Sequence, residues 1–120
     1  MRLYCFSHFM LSTMAKGIQA LHSTVEMFNK YEEVDLYDYA TSTGHNPTQH
    51  IIDSNNRAKM LYDWSTNHKT CVVLNGGVSS DLNALEIIMN TSENKYPWAG
   101  FYEDESLGNL LTSLSIVLPE

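Results

Sequence analysis

Lys69-Thr70-Cys71-Val72-Val73-Leu74, followed by Asn75-Gly76-Gly77 and then Val78-Ser79-Ser80-Asp81-Leu82, is the stretch that decides the fold. Thr70, Val72 and Val73 are β-branched, and the run from Cys71 to Leu74 is unbroken in its apolar character. Such a run reads as a strand, and the lack of alternation predicts a central one covered on both faces. The glycine pair turns the chain, and Ser79 or Ser80 then caps a helix through Asn90 with Leu82, Leu85, Ile88 and Met89 on its buried side. A strand, a tight turn and a helix in that order define an α/β unit.

On the N-terminal side, Leu3 to Phe6 reads as a first strand. Ser12 to Tyr31 has helical period, because Met14, Ile18, Leu21, Val25 and Phe28 recur at spacings of four and three and make one apolar stripe. That stripe is the expected core face of the helix, with Ser12 or Thr13 as N-cap. Glu32 to Asp38 alternates weakly through Val34 and Leu36 and reads as a second strand or an irregular extended piece. Thr41 to Gln49, with Gly44 and Asn46-Pro47, reads as a loop. Asp53 or Ser54 caps a helix to about Thr66 with Ala58, Leu61, Tyr62 and Ser65 inward. On the C-terminal side, Tyr96 to Tyr102 is extended, Glu103 to Asn109 is a polar loop, and Thr112 to Leu118 is the last strand. The expected fold is α/β, a single domain over 1–120 with a mixed β-sheet of about four strands flanked by helices.

Seven basic and fourteen acidic residues give a formal charge of −7. No three of the basic residues cluster, which argues against a long phosphate-backbone contact and leaves room only for a local basic pocket. No apolar run approaches the roughly 20 residues that span a bilayer, and the first residues lack a signal-peptide core. No membrane partner and a cytoplasmic location are therefore expected. Cys5 and Cys71 both lie in strand-like runs and are expected to be buried, with a disulfide between neighbouring strands as the alternative. The five histidines do not pair at i,i+4 and no cysteine lies in a ligand pattern with them, so no metal and no cofactor are expected. The surplus of Tyr and Trp outside the helical stripes points to a homodimer or larger homo-oligomer.

Three places could carry chemistry. On the first helix Lys16, Gln19 and His22 project from one edge, beside a helix N-terminus that favours an anion. Glu103-Asp104-Glu105 precedes the last strand, where a carboxylate could orient the His22 imidazole as an acid-base pair. The Asn75-Gly76-Gly77 turn opens on a helix N-terminus, a generic anion-binding geometry without a full phosphate-loop pattern.

The chain resembles the type 2 peptidyl-tRNA hydrolase family. Gln19-Ala20-Leu21-His22 matches the Gln-x-x-His of the family's first helix, and Asp104 followed by Ser113-Leu114-Ser115-Ile116-Val117-Leu118-Pro119 is similar to its acidic loop and closing strand. Lys16 lies one residue nearer the histidine than the family lysine, and Ser113 stands where the family strand has threonine. The resemblance implies a ligand-binding set of Lys16, Gln19, His22, Asp104 and Ser113. It implies catalysis by His22 and Asp104 if the chain is an enzyme. The leading expectation is a small nucleotide-like ligand-binding protein on this hydrolase-like scaffold, such as a phage protein that sequesters a nucleotide immune signal. The alternative is a peptidyl-tRNA hydrolase that cleaves the ester between peptide and tRNA.

Overall fold

The computed structural model describes residues 1–103 and 108–119. In chain order the elements are β1 (Arg2–Ser7), α1 (Thr13–Lys30), α2 (Leu36–Thr43), α3 (Gln49–Asp63), β2 (Cys71–Asn75), α4 (Ser79–Met89), β3 (Trp98–Tyr102) and β4 (Leu111–Leu118), with a π-helical turn at Trp64–His68 extending α3. The strands form one mixed sheet in the order β2-β1-β4-β3. β1 and β2 run parallel, with Leu3 opposite Cys71 and Cys5 opposite Val73. β4 is antiparallel to both of its neighbours, β1 and β3. The expected α/β architecture is therefore present, a four-stranded mixed sheet between helices.

The two faces of the sheet carry different cores. Leu3, Cys5, Ala99 and Val117 pack with Ala20 and Met27 of α1, with Ala58 and Leu61 of α3 and with Trp64 of the π-helical turn. Leu114 and Ile116, one residue out of phase on β4, pack with Leu82 and Met89 of α4. The alternation is the ordinary consequence of the two-residue period of a strand.

Lys69 to Leu74 is not the central strand. The strand begins at Cys71 and lies at the sheet edge, with Cys71, Val73, Leu74 and Asn75 exposed. β1 and β4 take the centre instead, and β4 is buried from Leu111 to Val117 despite Thr112, Ser113 and Ser115. Those hydroxyls are hydrogen-bonded, which removes the usual penalty for burying them. An apolar run shows that a strand tolerates burial; it does not show which strand receives it.

The orientation of α1 also departs from the periodicity. Met14 is 78% exposed and Leu21 62%, and Ile18, Val25 and Phe28 also face outward. The sheet is met by Ala20, Ser23 and Met27. Beneath the helix Ser113 and Ser115 need partners. Ser23 Oγ supplies both, at 2.9 Å and 2.5 Å, and donates to the Ala20 carbonyl at 3.1 Å in the same cluster. Turning the apolar stripe inward would strand these buried hydroxyls.

Glu32 to Asp38 forms no strand. The Asp35 carboxylate accepts the N–H groups of Tyr37 and Asp38 and starts α2, and Gly44, at φ 73°, ends it. α3 starts at Thr48, whose hydroxyl accepts the Ile51 N–H at 3.3 Å, several residues before Asp53. Its inner residues are Asn55, Ala58 and Leu61, while Tyr62 points out. Val78 occupies the N-cap of α4, where the Asp81 carboxylate accepts its N–H at 3.0 Å, and Ile88 is exposed. Cys71 is exposed and Cys5 buried, and both are free thiols with sulfurs 3.9 Å apart. Among the described residues no helix is long and apolar enough to cross a membrane.

Candidate functional site

Helical spacing brings Gln19 and His22 to the β3–β4 side of the sheet, but each is held by the fold. The Gln19 amide donates to Glu103 Oε2 at 3.0 Å, and its carbonyl accepts from the Thr112 hydroxyl at 3.0 Å. His22 lies at the surface with its ring stacked on Phe101, centroids 4.5 Å apart and planes 14° from parallel. Ser113 is fully buried and bonded to Ser23, so its hydroxyl turns away from any ligand at this edge. Lys16 is half-buried, and its carbonyl accepts from Ser7 Oγ at 3.1 Å. Asp104 lies outside the described residues; Glu103 is the carboxylate that reaches Gln19. The proposed ligand set is thus divided between an exposed stack and a buried hydroxyl.

The Asn75-Gly76-Gly77 turn does not present free amides. Gly76 N–H donates to the Ser7 carbonyl at 2.7 Å and Gly77 N–H to Asn75 Oδ1 at 2.9 Å. Gly77 sits at φ 82°, and a Cβ at Gly76 would lie 2.7 Å from Leu82 Cδ2 and press against the β1 backbone at 3.1 Å, so the glycines serve the turn itself. Beside it lies buried His8, which escaped the sequence reading. Its Nδ1 accepts the Met10 N–H at 3.2 Å, which leaves the proton on Nε2 to point at Ser79 Oγ, 3.2 Å away. In that tautomer His8 donates to the serine and does not act as its base.

The best-formed candidate is at the other end of α1. Lys30 comes from its last turn, where a cation suits the helix dipole. The Lys30 ammonium stands 3.4 Å from the centroid of the Trp98 ring and donates to the Trp98 carbonyl at 3.1 Å. Tyr31 closes the arrangement, since its hydroxyl donates to the same carbonyl at 3.1 Å and accepts the Trp98 N–H at 3.3 Å. Arg57 of α3 donates Nη2 to the Asn94 carbonyl at 2.7 Å, while its Nε is shut off from solvent with no hydrogen-bond partner among the described residues. These residues line a cavity of about 530 Å³ together with His50 and Ser54. That volume lies within the roughly 300–1,000 Å³ usual for small-molecule sites.

The electrostatics are unusual for so acidic a chain. Neither Lys30 nor Arg57 is in an ion pair among the described residues. Burial first, and the Arg57 charge second, lower the Lys30 pKa to about 8, against the smaller opposing pull of Glu86. Burial also raises the Tyr31 pKa. Two like charges share one concave site lined by an indole, a phenol, an imidazole and a hydroxyl. An anion with an aromatic part matches this set chemically. Little in the sequence points to it: Lys30, Arg57 and Trp98 come from three separate elements, and each is solitary in its own stretch.

No protein-family model matches the chain, and a search of curated proteins found no match.

Proposed function

We propose that the chain is a small ligand-binding protein on a type 2 peptidyl-tRNA hydrolase-like scaffold, and that it holds a nucleotide-like anion in the cavity lined by Lys30, Arg57 and Trp98. The observation that carries this reading is the pair of cations without carboxylate partners among the described residues, over a concave, partly aromatic site in a chain of net charge −7. Two like charges held close are costly unless something compensates them, and a phosphate or carboxylate supplies that compensation by charge-assisted hydrogen bonds. On arrival of the anion, Lys30 moves from the Trp98 ring to the phosphate and the exposed indole face receives the base. This places the ligand at the far end of α1 from the Gln19–His22 edge. The engagement of Gln19 with Glu103 and Thr112 supports holding a ligand over cleaving one at that edge.

The test is a thermal-shift and tryptophan-fluorescence titration with adenosine 5′-monophosphate, a cyclic dinucleotide, inorganic phosphate and adenosine. At least one nucleotide should raise the melting temperature progressively with concentration, by mass action. It should also change Trp98 emission, while phosphate and adenosine alone bind more weakly. Lys30→Gln and Arg57→Gln should each weaken binding at least tenfold. Absence of any nucleotide effect at millimolar concentration refutes the proposal. Cleavage of a peptidyl-tRNA analogue by the wild type, abolished by His22→Ala, would replace it with the hydrolase.

A further inference from the structure

The outward face of α1 is an apolar seam in search of a surface. Met14, Ile18, Leu21, Val25 and Phe28 are 46–78% exposed, and their alternating spacings of four and three are those of an a/d heptad seam. A helix that packs on its own sheet normally buries such a seam. Here the sheet is met by the opposite side, through Ala20, Ser23 and Met27. We infer that two copies of the chain dock through this seam, α1 against α1 and antiparallel, about a twofold axis passing between Leu21 and Val25.

Three observations select a second copy as the occupant. The pattern complements itself. An antiparallel pair centred between Leu21 and Val25 sets Leu21 against Val25 of the partner and Ile18 against Phe28, and each contact is repeated by symmetry as an isologous interface requires. The flanks are also free of formal charge. The residues bordering the seam are Gly17 and Thr24 on one side and His22 and Asn29 on the other. Two copies of charge −7 can approach closely only along such a strip, because like charges facing across an interface are costly.

The area is also sufficient. Whole-residue surfaces of roughly 150–250 Å² at these exposures leave on the order of 500 Å² per copy. A pair then buries about 1,000 Å², the lower bound for a specific interface. Beside the seam, Gly17, Leu21 and Thr24 line a groove of about 250 Å³ with Cys71 and Val73 of the edge strand, which gives the partner helix room on that side. This inference does not rest on the ligand cavity, since the seam and Lys30 lie on different sides of α1.

Sedimentation equilibrium at micromolar concentration tests it. The wild type should show twice the 13.6 kDa chain mass. Leu21→Lys and Val25→Lys should each yield a monomer with unchanged circular dichroism, since neither side chain is buried in the single chain. Orientation is read from nitroxide labels in a Cys71→Ser background. Labels at His22→Cys, beside the axis, should lie close together. Labels at Ala15→Cys, eight residues from it, should be displaced by roughly 24 Å along the helix at 1.5 Å per residue. A monomeric wild type, a dimer indifferent to both lysine variants, or labels at Ala15 as close as those at His22 would each overturn the inference.

Discussion

The two faces of β4 stand in the same strand and are built on different chemistry. Toward α4 it presents Leu114 and Ile116, which meet Leu82, Met89 and Leu111 in an aliphatic cluster. Toward α1 it presents Ser113 and Ser115, which meet Ser23, Thr24 and Cys5 through hydroxyl and thiol contacts of 2.5–3.5 Å. The aliphatic face accepts any apolar stripe that fits. The hydroxyl face accepts only a helix that brings matching polar groups on small residues. α1 satisfies it with Ser23 and Thr24, and its apolar stripe from Met14 to Phe28 is left outside. One strand therefore decides which side of each helix becomes core.

This comparison is broken most directly on the aliphatic side. Leu114 is fully buried, and Leu114→Ala should destabilise the protein by about 2–5 kcal/mol in urea unfolding, through lost transfer energy and an unfilled cavity. A cost below that of an exposed substitution would mean that this face is not the main core. The hydroxyl side should respond differently. Ser23→Ala removes the hydroxyl bonded to Ser113 and Ser115 and should cost about 1–3 kcal/mol, the penalty of leaving buried groups unpaired. The triple change Ser23→Ala, Ser113→Ala and Ser115→Ala removes the partners together and should recover much of that loss. If it proves as costly as the sum of its parts, packing and not pairing holds this face.

Much of this architecture was legible in the sequence, and the misreadings share a cause. The spans of β1, β4, α1 and α4 follow from period and composition. What periodicity could not supply was the identity of the surface each element meets. It assigned the stripe at Met14, Ile18, Leu21, Val25 and Phe28 to the core because apolar residues normally seek it. The hydroxyls that exclude the stripe are on β4, at the far end of the chain. Val72 and Val73 marked a strand correctly, but the order of strands depends on pairing partners that a local run does not name. The alternation of Val34 and Leu36 hides the role of Asp35, whose carboxylate caps α2. The adjacency of Gln19 and His22 was readable from helical spacing. The cavity of Lys30, Arg57 and Trp98 was not, since it exists only when three elements converge.

A smaller effect probes the place where the two faces meet, since Trp98 packs with the α4-side cluster while Lys30 and Tyr31 reach it from α1. Burial, then Arg57, holds the folded Lys30 pKa near 8, below the usual 10.5. Below pH 8 the lysine is charged in both states, and its cost to folding is constant. Between about pH 8 and 10.5 the folded state has released a proton that the unfolded chain keeps, so this contribution makes the protein more stable as pH rises. Tyr102, raised to about 12 by burial and by its hydrogen bond to Glu86, acts in the opposite direction above pH 10. Cys71, raised from 9 to about 11 by burial and then by the neighbouring Cys5, opposes Lys30 already from about pH 8.5, so the comparison is made in a Cys71→Ser background between pH 8 and 9.5. There Lys30→Gln should flatten the rise seen in denaturant titrations of the Cys71→Ser protein. A stability of the Cys71→Ser protein that falls across this window would show that Lys30 is not desolvated on Trp98.

The smallest expected effect separates the two sides of α1 most sharply. Leu21 lies in the centre of the apolar stripe and is 62% exposed, whereas Met27, about a third of a turn around the same helix, is fully buried. In protein dilute enough to be monomeric, Leu21→Ala should change the unfolding free energy by no more than about 0.5 kcal/mol, as for a surface substitution. Met27→Ala should cost about 2–5 kcal/mol under the same conditions. Raising the protein concentration should then open a gap between Leu21→Ala and the wild type, because only the wild type gains stability by pairing through the full seam. A Leu21→Ala cost in the core range at every concentration would mean that the stripe is packed within the single chain and that the hydroxyl face of β4 does not set the orientation of the helix.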